Sequence, residues 1–96
     1  MKEKLLKRTF SLSQKAIDLI KTLPRDVVNQ VIKKQFLRAI TSIGANYREA
    51  IEAESRKDFI HKLQIVKKEA RESLYWIGLI QYHNQTGKKR SQFNDK

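Results

Sequence analysis

A chain of 96 residues has room for one domain with one small core, and having no cysteine it excludes disulfides, thiolate metal sites and thiol nucleophiles. Twenty-one Lys and Arg against ten Asp and Glu leave a formal charge of +11, which points to an anionic partner and says little about fold. More than half of that excess lies in residues 1–8 and 83–96, and the absence of a continuous apolar run argues against a signal peptide or membrane span and for a cytoplasmic protein.

One proline, Pro24, and three glycines, Gly44, Gly78 and Gly87, interrupt a sequence otherwise rich in helix formers. The expected fold class is therefore all-α, an antiparallel helical bundle with three long helices. Residues 1–10 read as a basic N-terminal segment, residues 11–82 as the bundle domain and residues 83–96 as a polar, basic tail. The first helix is expected from Ser11 or Ser13 to Leu23, with Ala16, Ile17, Ile20 and Leu23 at helical spacing and Pro24 as its stop. The second starts at Asp26 as N-cap and runs to about Glu54, turning Val28, Ile32, Phe36, Ala39, Ile43, Tyr47 and Ala50 inward. The third starts at Ser55, where Ser-Arg-Lys-Asp offers an Asp variant of the capping box, and carries Phe59, Leu63, Val66, Ala70, Leu74 and Ile77 inward before fading after Ile80 or Tyr82. Beyond it Phe93 is the one large apolar side chain, too little to offset the entropy of ordering, so the tail is expected to fray.

Both long helices carry a second apolar set. Leu37, Ile40 and Ile51 on helix two, with Gly44 among them, and Ile65, Trp76 and Leu79 on helix three lie away from the inward stripes. Gly44 would let another backbone come close, at about 1 kcal/mol of helix propensity. Two arrangements would cover these residues: packing within the chain, or a subunit interface between copies.

The candidate binding residues are basic. Lys57, Lys68, Arg71 and Tyr75 share one side of helix three with Gln64 between them, and Lys34, Arg38 and Arg48 on the outer side of helix two would extend the strip. Cations with a ring among them suit phosphate contacts and base stacking, although a solvated helix face carries the same residue types. Lys2, Lys4, Lys7 and Arg8, with Lys88, Lys89 and Arg90, are either flexible electrostatic arms or residues serving solubility. No cofactor and no metal is expected: Asp58 and His61 make a single acid and imidazole pair where a di-iron bundle needs several, and His61 and His83 read as surface histidines. Glu49, Glu52, Glu54, Glu69 and Glu72 alternate with Lys and Arg as ordinary ion pairs do, so no enzyme is expected. Asn46 falls on the inward side of helix two and is expected to bond a neighbouring helix and fix its register.

From Ser42 to Ile80 the chain reads Ser-Ile-Gly-Ala-Asn-Tyr-Arg-Glu-Ala, then Ala-Glu-Ser-Arg-Lys-Asp-Phe-Ile-His-Lys-Leu, then Lys-Glu-Ala-Arg-Glu-Ser-Leu-Tyr-Trp-Ile. This strongly resembles the 23S rRNA intervening-sequence protein family, also called the four-helix bundle or S23 ribosomal protein family, over residues 12–82. The resemblance implies an up-down-up-down bundle assembled as a homopentamer. That family is similar to the accessory variability proteins of diversity-generating retroelements, which implies binding of nucleic acid, RNA or DNA, and a protein partner such as a reverse transcriptase. Members continue after the Tyr-Trp segment into a fourth amphipathic helix, whereas here the polar segment from His83 stands in that place. The chain is then either a shortened member closed by oligomer contacts or a truncated one with its last residues replaced.

Overall fold

The structure, a computed structural model, describes residues 2–85, and among them it is all-helical: α1 (Lys2–Lys21), α2 (Val27–Ile51) and α3 (Arg56–His83). The expected tail lies, from residue 86 onward, outside the described residues.

Local chemistry sets the breaks. The last turn of α1 closes through the Thr22 and Leu23 amides, which donate to the Leu19 and Ile20 carbonyls, and Pro24 then has no N–H with which to continue. Asp26 is extended and its carboxylate accepts from the Asn29 amide at 2.7 Å, the expected N-cap of α2. Ser55 is likewise extended, and its hydroxyl accepts from the Asp58 amide at 3.0 Å to open α3.

α2 is the shared partner of both other helices. Its stripe packs as the spacing predicts at Ile32, Phe36, Ala39, Ile43 and Ala50, and with Ala16 of α1 and Ile80 of α3 it forms the core. The start of α2 lies against the end of α3, through Asp26 and His83 and through Asn29 and Asn84, while its end meets the start of α3 through Glu49 and Lys62.

Three expectations change. α1 begins at Lys2, not at Ser11 or Ser13, because residues 2–10 hold no breaker and have a surface to pack on: Thr9 sits where a Cβ on Gly44 would meet its side chain at 3.2 Å. Val28, Phe59 and Leu74, expected inward, are exposed, Leu74 by 71 %. α3 keeps Val66, Ala70 and Ile77 of the expected stripe packed against the core and buries Glu69, Ser73 and Ile80 beside them, so its contact face is rotated toward one edge of the stripe, those three lying about 80° from its centre at about 100° per residue. That rotation is tolerated because Glu69 finds Arg38 and the Ser73 hydroxyl donates to the Glu69 carbonyl at 2.8 Å. Finally, Asn46 donates to the Ser42 carbonyl of its own helix at 2.8 Å, and the amide joining two helices is Asn29.

Candidate nucleic-acid interface

Burying one face of α3 fixes what the other presents. With Glu69, Ser73 and Ile80 against α2, the opposite side carries Lys57, Gln64, Lys68, Arg71 and Tyr75, every one exposed. Arg56 and Lys67 are exposed beside them. The three carboxylates of α3, Asp58, Glu69 and Glu72, all fall outside the arc of about 60° that the stripe occupies.

Two of those carboxylates are held by α2. The Arg38 guanidinium donates to Glu69 Oε1 at 3.2 Å and to Glu72 Oε1 at 2.6 Å, and the hydrogen bond with Glu72, ahead of the attraction of Glu69, raises its pKa further above an already high value. Lys62, the one α3 lysine turned toward α2, donates to Glu49 at 2.7 Å, and that bond raises its pKa. Acid is therefore drawn to the seam between helices, and the outward stripe is left cationic. Lys68 approaches Glu72 only at 4.0 Å and keeps 69 % of its side chain exposed.

The α2 residues expected to extend the strip divide. Lys34 is exposed. Arg38 is a crosslink between α2 and α3, its charge already answered by two carboxylates. Arg48 lines a groove of about 390 Å³ between α1 and α2, with Leu6, Phe10, Ile17 and Gly44, and so belongs to the α1 side. The structure thus brings together Lys57, Lys68, Arg71 and Tyr75, and sets Arg48 apart from them.

The second apolar set is largely covered within one chain. Ile40 is in the core, Gly44 is met by Thr9, and Leu37, Trp76 and Leu79 pack against the core cluster, with Ile51 and Ile65 half-buried. Of these, Gly44 is covered by the part of α1 that the spacing does not predict, through Thr9. The apolar groups most open to solvent are others: Phe10, Val27, Val31, Leu74 and Tyr75, each more than half exposed. Trp76 meets Tyr75 edge-on, with ring centroids 5.1 Å apart and planes at 78°.

A polar clamp at the end of the helices was not foreseen. Asn29, fully buried, donates to Asn84 Oδ1 at 2.9 Å and to the Pro24 carbonyl at 3.1 Å, and Asn84 donates back to Asn29 Oδ1 at 2.8 Å. Beside it His83, expected at the surface, has a half-buried ring with Nε2 at 3.1 and 3.2 Å from the Asp26 oxygens. The Asn29 amide first, and His83 with it, holds the Asp26 carboxyl below its usual range. Among the described residues every buried polar side-chain atom has a partner, and none form a group of three or more His, Cys, Asp or Glu able to hold a metal ion. No described helix is long and apolar enough to cross a membrane.

The model of the 23S rRNA-intervening sequence protein family matches residues 1–94. Among solved structures, a protein of unknown function from the S23 ribosomal protein family of Bacteroides thetaiotaomicron is 40% identical, with a TM-score of 0.76 over 99% of this chain and 87% of that one. No curated protein matches the chain.

Proposed function

The chain belongs to the 23S rRNA-intervening sequence protein family, and we propose that it is a non-enzymatic, basic helical protein that binds nucleic acid, RNA or DNA, mainly through phosphate contacts. The observation that carries this reading is the separation of charge on α3: two of its three carboxylates, Glu69 and Glu72, are held at the seam with α2 by Arg38, while Lys57, Lys68 and Arg71 stand exposed in one line. A stripe of that kind meets a phosphate backbone with its nearest acid, Glu72, already paired to Arg38, and supplies little sequence readout. The family name, which speaks of ribosomal RNA, agrees with such a ligand.

The same reading takes the helices as part of an antiparallel four-helix arrangement in a cytoplasmic homo-oligomer, a pentamer by family resemblance. Phe10, Val31 and Leu74 are the exposed apolar side chains that copies would cover. Repetition of the stripe around an assembly would compound contacts that are weak one at a time.

Filter binding of a short RNA and of a DNA duplex across a salt series tests the ligand. Affinity is expected to fall steeply with salt, and replacing Lys57, Lys68 and Arg71 together by Gln is expected to reduce the slope of log affinity against log salt by about 2–3. No binding at low salt, or binding indifferent to salt, overturns the reading.

A further inference from the structure

The groove between α1 and α2 has a lining and a charge that phosphate binding by α3 does not use. It holds about 390 Å³, within the range of about 300–1,000 Å³ in which small-molecule sites fall. Thr41, Gly44, Ala45 and Arg48 step by three and four residues along its α2 wall, so that wall runs roughly 10.5 Å at about 1.5 Å per residue. On the α1 wall Phe10 and Ile17 keep 61 % and 37 % of their surface in water. The groove is thus a long apolar bed.

Its polar groups are few. The Thr9 hydroxyl donates to the Leu6 carbonyl at 3.1 Å and the Thr41 hydroxyl to the Leu37 carbonyl at 2.7 Å, so neither needs a ligand. Arg48 is the one charged residue among those that line the groove; it is exposed and takes part in none of the described ion pairs. Thr9 lies beside Gly44, and Lys2 shares a second groove with Ala50 and Ile51. Arg48 therefore stands at the Leu6 end of the bed, away from Ile17.

A guanidinium at one end of an apolar bed suits a ligand with one anionic head and an apolar body. The fork of Arg matches a carboxylate through two parallel hydrogen bonds. One cation balances the single charge of a carboxylate, but not the charge of about −1.5 to −2 on a phosphate monoester. A nucleobase would bury donors and acceptors that these walls do not pair, whereas an alkyl chain has none. A second copy, itself at +11, is a poor source of the anion.

We infer that the α1–α2 groove binds a small amphipathic carboxylate, its alkyl chain lying along Gly44 and Ala45 beside Phe10 and Ile17 and its head held by Arg48. This site is separate from the α3 stripe, and it stands whether or not that stripe binds nucleic acid.

Isothermal titration calorimetry of the full chain with octanoate, and with octan-1-ol as its uncharged counterpart, tests the site. Octanoate is expected to bind once per chain with a negative heat-capacity change, the mark of apolar burial. Octan-1-ol should bind at least about tenfold more weakly, for want of the charged hydrogen bonds. Arg48→Gln is expected to weaken octanoate by a similar factor and to leave octan-1-ol unchanged within about twofold. Ala45→Leu, which fills the bed, should weaken both ligands by roughly 5- to 100-fold, with native helix content checked by circular dichroism for each variant. No octanoate binding by the wild type, or several molecules bound per chain with no effect of either variant, overturns the site. Equal losses of both ligands in Arg48→Gln remove the role of the guanidinium and overturn it too. Should Ala45→Leu lower the molar mass seen by light scattering and leave octanoate binding untouched, the groove is a contact between copies and the inference falls.

Discussion

Asn29 shows how much one amide can decide. It is fully buried, and burying an amide is acceptable only when its hydrogen bonds are remade. Here they are remade across the molecule: Asn29 and Asn84 exchange hydrogen bonds 55 residues apart in sequence, and the Pro24 carbonyl takes a further donor from Asn29. The pair thereby fixes the register of α2 against α3 and pins the turn after α1. Replacing Asn29 by Ala would leave Asn84 and Pro24 short of partners, and is expected to lower the unfolding free energy by about 2 kcal/mol. Asn46→Ala removes only a bond to its own helix and should cost less than about 1 kcal/mol. Urea unfolding of the two variants decides the matter: comparable losses would mean that Asn29 holds nothing together.

At the scale of elements, α1 and α3 are not equals. α3 is tied to α2 along its length by apolar packing, by the Arg38 ion pairs, by the Lys62–Glu49 pair and by the clamp at its end. α1 packs on α2 through Thr9, Ala16, Ile20 and Leu23, and no described ion pair joins the two helices. The α1 seam depends on Gly44, where a Cβ would lie 3.2 Å from the Thr9 hydroxyl and 3.3 Å from its Cβ. A Gly44→Leu change must push α1 away, so amide exchange in residues 2–15 is expected to accelerate by at least about tenfold, with much smaller changes in α3. Protection retained in α1 would show that the close approach at Thr9 does not hold the helix.

At the scale of the whole molecule, the question is what covers the apolar groups left in water. An elongated body of 55 × 25 × 23 Å has much surface for its volume, and side chains as large as Leu74 and Phe10 stand open on it. Association of copies would cover them, and light scattering with mass determination is expected to give a multiple of the 11.3 kDa chain mass at micromolar concentration. A mass of one chain at every concentration would leave the nucleic-acid reading to a single stripe, with correspondingly weak binding. The stripe would remain where it is, because its position depends on how α3 seats on α2 and not on any neighbour.

Much of this was legible from the residues alone. The break at Pro24, the caps at Asp26 and Ser55, the core stripe of α2 from Ile32 to Ala50 and the line of Lys57, Lys68, Arg71 and Tyr75 all follow from short-range rules of capping, φ restriction and helical period. The family, too, was readable from residues 42–80. What a linear pattern does not contain is which edge of an apolar stripe meets a neighbour. Leu74 and Glu69 exchanged their expected places because Arg38 on another helix could satisfy a buried carboxylate. Residues 2–10 became helix because Gly44, far along the chain, left Thr9 a place to pack. Local periodicity determined the helices and the cationic line; only tertiary structure decided which charges were spent at the α2–α3 seam and which were left facing outward, because pairing a buried charge requires a partner that sequence distance does not reveal.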